Sequence, residues 1–429
     1  MLYMTSAQNH RQPLSGNNIK FWIFFLTIWF SVSCQVAKPL SQNQDQVNKK
    51  EKQPSFENDV VISKNPIRAQ PKDSMVQLFP RTMKKKYVIS VFLPLYFDSL
   101  DREQNQKSAL SVSRDFYKGM IIATDSLRDL GAMIDIHFFD SEDPWIYQTL
   151  LDTLRKNNTD LIIGPIFESH LKFMDSLSKT EHINYVSSLQ NKEKCNKNEF
   201  YIQSIPSPTM EGLAAAGLIK KNLQSRRIFL INDKKTEKSP VSDAFIAQFK
   251  PGEITVINCK SKGVAALPNP FPYADSNVIF IPSKSESFVN QMVSKFRVDS
   301  QNISFIAPIQ WQYFKSFEGD LWEKYHVYAL SPYFIDYHNP AINIFIRKYR
   351  AKYNEEPSVW AFIGYDELTY YGKLLDKYGK YFQAQIDGTN TTMLHTDYRL
   401  RHSRYGCGWQ NEYVNTLQFQ NYQLNPVAH

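Results

Sequence analysis

Residues 160–169 read DLIIGPIFES. Three consecutive large aliphatic residues between Asp160 and Gly164-Pro165 form the pattern of a short strand covered on both faces, ended by a turn. Working outward, residues 146–156 carry apolar positions at helical spacing, residues 169–179 do the same, and residues 184–187 form another short apolar run. Toward the amino end, residues 87–94 (YVISVFLP) predict a strand. Residues 111–130 predict a helix with Phe116, Met120, Ile121, Leu127 and Leu130 along its apolar side, and Gly131 stops it. Residues 133–139 predict a second strand, ending at Asp140. The alternation resumes after Pro206 and Pro208: a helix over 210–222, a strand over 227–232, a helix over 243–249, and strands over 253–258, 277–281 and 303–307. Strands and helices alternating at this spacing imply parallel sheets covered by helices on both faces. Two such runs, joined near 205–208, predict an α/β fold of two doubly wound, Rossmann-like lobes connected by a hinge. Sheets of this kind bind ligands beyond the carboxyl ends of their strands, and two facing lobes can close around a guest.

The bulk numbers fit this reading. A chain of 429 residues, 42% hydrophobic and 21% charged, has the make-up of an ordinary globular protein with two or three domain-sized units. Its formal charge of +8 is not spread evenly. Residues 1–86 hold 13 Lys/Arg against 5 Asp/Glu, and the remainder holds 37 of each sign. A nucleic-acid-binding body carries its positive charge on the folded part, where it neutralises phosphates. This body is neutral, so no nucleic-acid partner is expected.

The amino end reads as an export signal. Residues 21–32 (FWIFFLTIWFSV) follow Arg11 and Lys20, and they are too short for a membrane span, which needs ~20 residues. Ser31, Val32 and Ser33 then lead directly to Cys34. This end resembles a bacterial lipoprotein signal, although Ser31 stands where that signal usually has Leu, Val or Ile. The resemblance implies a signal peptide over 1–33, lipidation of Cys34, and a periplasmic protein anchored to a membrane of the cell envelope, the outer one expected. Residues 34–83 are rich in Gln, Asn, Lys, Ser and Pro with little apolar periodicity apart from a brief Val60-Val61-Ile62, the composition of a mobile tether. Cys195, Cys259 and Cys407 show neither a CxxC pair nor a histidine at zinc spacing, so no metal or cofactor is expected.

The body carries further motifs in a fixed order. Residues 88–94 are followed by Asp115-Phe116-Tyr117-Lys118-Gly119. Phe138-Phe139-Asp140 close the second strand, and Leu161-Ile162-Ile163-Gly164-Pro165 are followed by Ser169. Phe345, Tyr349, Tyr353, Pro357, Ala361 and Gly364-Tyr365-Asp366 come later. Together these resemble the receptor-ligand-binding family, the type 1 periplasmic binding proteins that include branched-chain amino-acid-binding proteins. The resemblance spans residues 86–425 and implies a first lobe from 84–207 and 329–390 and a second from 208–328 and 391–429. It also implies a small polar, amino-acid-like ligand held by hydroxyls after the third and fourth strands. By position these are Ser169 and Ser187, with Ser188 and Asn191 where the family has Pro and Thr. No acid of the second lobe matches the family's ammonium-binding one.

Tyr96 leaves strand one toward the same cleft, and Asp233 follows the strand over 227–232, so both join the candidate ligand set. Ser283 and Glu286 fit a helix-capping pair as well as a cleft role. Tyr365-Asp366 read as structural. His137 and Asp140 share a strand, but residues an odd number of positions apart point to opposite faces, so they do not converge as metal ligands. No GxSxG elbow, phosphate loop, HExxH or GxGxxG is present, which leaves an enzyme without support. Two functions remain. One is capture of a small solute for an ABC-type permease or a sensor. The other is a protein-interaction lipoprotein that regulates a cell-envelope enzyme such as a peptidoglycan synthase.

Overall fold

The computed structural model describes residue 79 and residues 83–95, 104–143, 145–166, 170–190, 197–223, 227–259, 263–268, 276–296, 303–403 and 408–427. Strands β1 (Tyr87–Leu93), β2 (Ile134–Asp140), β3 (Leu161–Ile163), β4 (Asn184–Ser187) and β5 (Tyr201–Gln203) pair in parallel in the order β2-β1-β3-β4-β5. Strands β6 (Arg227–Asn232), β7 (Ile254–Asn258), β8 (Asn277–Phe280), β9 (Ile303–Pro308) and β10 (Tyr328–Ser331) repeat that order in a second sheet, β7-β6-β8-β9-β10. The expected doubly wound α/β class is therefore the observed one. The aliphatic runs explain it: β3, β4, β8, β9 and β10 are buried at every position, as strands covered on both faces must be.

Helices α1 (Gln104–Asp129), α2 (Ile146–Lys156) and α3 (Leu171–Glu181) connect the first set of strands. Helices α4 (Pro208–Asn222), α5 (Pro240–Ile246), α6 (Glu286–Phe296) and α7 (Gly319–Lys324) connect the second. The chain then returns through α8 (Pro340–Tyr353) and α9 (Val359–Tyr378), whose apolar residues share one core with β1 and α1. The crossing of α1 and α9 depends on two glycines. A Cβ on Gly119 would overlap the carbonyl of Ala361, and a Cβ on Gly364 would overlap that of Phe116.

After α10 (Gln383–Ile386) and the small hairpin β11 (Thr391–Thr392) and β12 (Asp397–Tyr398), both sheets gain strands. Strand β14 (Trp409–Asn411) adds to β5 in parallel and β13 (Leu400–His402) pairs antiparallel with β14. Strand β15 (Asn415–Gln420) pairs antiparallel with β10, and β16 (Gln423–Pro426) with β15. The chain thus passes between the sheets three times, at 204–207, 332–339 and 412–414.

Three expectations are corrected. Residues 391–429 do not all belong to the second lobe: β13 and β14 extend the first sheet, where Trp409 is buried in the first core. The first lobe does not resume at 329, because β10 completes the second sheet beside β9. Residues 34–83 are not free to their end. Phe79 is 1% exposed and packs against Phe200, Tyr381 and Trp409 with ring centroids 5.7, 6.4 and 6.4 Å away. The short apolar cluster Met75, Val76, Leu78 and Phe79 carries neither a strand nor a helix period, and burying the Phe79 ring drives the docking.

Candidate functional site

The carboxyl ends of the strands are where this architecture places a ligand. Ser187 ends β4 in the first lobe and Ser188 follows it. Both are fully buried, and among the described residues neither hydroxyl has a hydrogen bond of normal geometry. At the end of β5, the Ser204 amide donates to the Ser187 carbonyl at 3.1 Å and the Ser204 hydroxyl meets the Tyr371 hydroxyl at 3.0 Å. On the adjacent strand β5, the Tyr201 phenol is pushed up to about 12 by burial, against the opposing pull of the Ser187 hydroxyl.

Glu367 on α9 lies under the same strand ends, and sequence reasoning missed it. Its side chain is fully buried, and neither carboxyl oxygen has a well-formed hydrogen bond among the described residues. Burial pushes its pKa up to about 7, although the Ser188 and Ser204 hydroxyls work against that rise. Its neighbour Asp366 is partnered on one oxygen, which accepts the His395 amide at 2.7 Å and faces the ring Nδ1 at 2.6 Å, while the other is buried without a well-formed hydrogen bond among the described residues.

Asp233 follows β6 in the second lobe. One carboxylate oxygen accepts the Lys235 amide at 2.7 Å, the Thr236 amide at 2.8 Å and the Thr236 hydroxyl at 3.1 Å. The other accepts the Ser283 hydroxyl at 2.5 Å. Burial alone would push this carboxyl up, but those bonds outweigh it and hold the pKa below the ordinary carboxylate value. Asp233 thereby ties the end of β6 to the end of β8, and the Trp311 indole donates to the Ser283 carbonyl at 2.9 Å. Ser283 and Glu286 are not a capping pair. Helix α6 begins at Glu286, whose carboxylate accepts from the Ser316 amide and hydroxyl at 3.0 and 3.1 Å. Tyr96, Ser169, Asn191, Cys34, Cys195 and Cys407 lie outside the described residues; Cys259 is a buried free thiol.

An aromatic lip at the ends of β2 and β3 was also unread. Trp145, 70% exposed, precedes α2, and the Tyr147 ring stacks on His170 at 3.8 Å with Phe173 edge-on at 5.7 Å. The signal available was an aromatic pair bracketing the start of a predicted helix. Asp140 is occupied structurally, accepting the Leu95 and Glu142 amides at 2.9 and 3.0 Å. Among the described residues no group of three or more His, Cys, Asp or Glu could hold a metal ion.

The strand ends thus carry buried hydroxyls on one lobe and an acid-centred, hydrogen-bonded loop on the other. That is the layout of a binding protein built from two doubly wound lobes. The periplasmic binding protein family model matches residues 112–392, and the chain belongs to that family. No curated relative matches it in sequence. Among solved structures it is similar to a Rhodospirillum rubrum protein named as a branched-chain amino acid ABC transporter, with 12% identity, a TM-score of 0.62, and coverage of 80% of this chain and 100% of that one. A Desulfitobacterium hafniense ABC transporter substrate-binding protein, solved with Leu, gives 14% identity and a TM-score of 0.50 over 80% and 100% of the two chains. The C-domain of Haemophilus influenzae LpoA, a regulator of PBP1A, gives 13% identity and a TM-score of 0.56 over 80% and 100%. Full-length LpoA is matched over 59% of its length. These likenesses show a shared fold.

Proposed function

We propose that this binding protein is exported, lipid-anchored at Cys34, and captures a small polar, amino-acid-like solute between its lobes for ABC-type uptake or sensing. The observation that carries the reading is the family match over residues 112–392, with the hydroxyls of Ser187 and Ser188 placed at and just after the carboxyl end of β4, where this architecture takes its ligand. The family and the leucine-bound neighbour support a solute of this class. In this reading Tyr96 and Ser169, which lie outside the described residues, are proposed solute contacts with Ser187 and Ser188, and Asp233, also proposed from the sequence as a contact, shapes the second-lobe loop through its own hydrogen bonds.

The test is a thermal-shift screen of the intact chain against the L-amino acids, short peptides, nucleosides and cell-wall fragments. A solute at 100 times its dissociation constant stabilises the folded state by ~2.7 kcal/mol. The expected result is a clear shift from an amino acid that is lost in Ser188→Ala. A flat screen from a folded protein contradicts solute capture. The second reading, an interaction lipoprotein that regulates a cell-envelope enzyme, is favoured by the fold shared with the LpoA C-domain. It predicts that flat screen, together with retention of a peptidoglycan synthase on the immobilised chain.

A further inference from the structure

Glu367 sits where three parts of the first lobe meet. The Ser188 hydroxyl faces it from the loop after β4, and the Ser204 hydroxyl faces it from the entry to the first crossover. Tyr371 comes from its own helix, and Tyr398 comes from β12 just before the chain turns into β13. Tyr398 stacks on Tyr370 at 4.4 Å, which closes the pocket with rings. The neighbouring acid Asp366 turns instead to His395. Among the described residues no cation pairs with Glu367, and the only groups that favour its charge are the two serine hydroxyls.

This surrounding suits a neutral carboxyl and does not suit a carboxylate. A neutral acid has one donor and retains acceptor capacity, so it can donate to one serine hydroxyl and accept from the other. An ionised acid has lost its donor and is left in a site without a counter-charge, which is unfavourable.

We propose that Glu367 is a positioning residue that holds the Ser188 loop and the Ser204 crossover in one arrangement only while it is protonated, so that the binding surface responds to pH through a group that never touches solute. The importance of that arrangement for binding rests on the solute-capture reading above. The proton-dependent ordering itself does not. Burial also brings the ionisation of Glu367 close to neutrality, within reach of ordinary pH change.

The test is amide hydrogen exchange of the intact chain at pH 6 and pH 8, corrected for the intrinsic pH dependence of exchange, with no solute added. In the wild type, amides at 188–190 and those of Ser204, Ile205 and Ser207 should exchange at least tenfold faster at pH 8, while those of β8 change less than twofold. In Glu367→Gln, which stays neutral, the first group should match β8. Equal profiles in the two proteins, or a wild type that is flat at 188–190 and at Ser204, Ile205 and Ser207, would overturn the proposal. If the Gln variant does not fold, the wild-type comparison of 188–190 with β8 still decides it. Because no solute enters the measurement, a flat solute screen leaves this result standing, and a positive screen does not rescue it.

Discussion

Glu367 and Asp233 carry opposite consequences for stability. Glu367 has a folded-state pKa above its unfolded value, so the native state binds its proton more tightly. Its favourable contribution is complete at acid pH and is lost as pH rises from about 4.5 to about 7. The loss is up to about 3 kcal/mol. Urea denaturation at pH 5 and pH 8 should show that decline in the wild type and little of it in Glu367→Gln. A decline of the same size in the variant would assign it to another group. Asp233 has the reverse sign: its depressed pKa gives stability that is present above the unfolded carboxylate value and lost as pH falls through the folded one. Asp233→Ala strands the Ser283 hydroxyl and the Thr236 and Lys235 amides, and should cost about 3 kcal/mol at neutral pH in the same assay. Neither role was visible in the sequence. Every residue from 361 to 372 is buried, so α9 has no polar face against which Glu367 would stand out. Asp233 sits among Lys234, Lys235, Glu237 and Lys238 and reads as part of a solvated loop.

At the scale of elements, what could be read depended on pattern length. Helix α2 and strand β4 fall where their periodicity puts them, because aliphatic side chains mark one face or both. Helix α1 begins at Gln104 and not near 111, since its first two turns are largely polar and leave no apolar stripe. Strands β13 and β14 are three residues each and join through backbone pairing to β5, a non-local contact that short polar strands do not advertise. The contact of α1 with α9 makes a sharp prediction. Gly364→Ala drives a methyl into the Phe116 carbonyl, a backbone group that cannot rotate away, and should destabilise by about 1–3 kcal/mol. The same change at Gly217, where a Cβ meets nothing within 4 Å, should be neutral or slightly stabilising. Phe79→Ala should cost about 3–5 kcal/mol if the ring belongs to the core, and almost nothing if it belongs to a free tether. Both pairs are settled by denaturation midpoints.

The whole molecule joins a neutral two-lobed body to a basic amino-terminal segment. No helix among the described residues is long and apolar enough to cross a membrane. The proposed lipid anchor at Cys34 is open to a direct test. Metabolic labelling with an alkyne fatty acid should mark the wild type and leave Cys34→Ser unlabelled. The three crossovers at 204–207, 332–339 and 412–414 are the places where hinge motion can concentrate, and the first begins at Ser204, next to the buried hydroxyls. Equilibrium dialysis of the intact chain against labelled L-amino acids tests capture most directly. The account predicts saturable retention of one amino acid at one molecule per chain, displaced by the unlabelled compound and lost in Ser188→Ala. A folded chain that retains none of them contradicts amino-acid capture and turns the strand-end surfaces toward a protein partner.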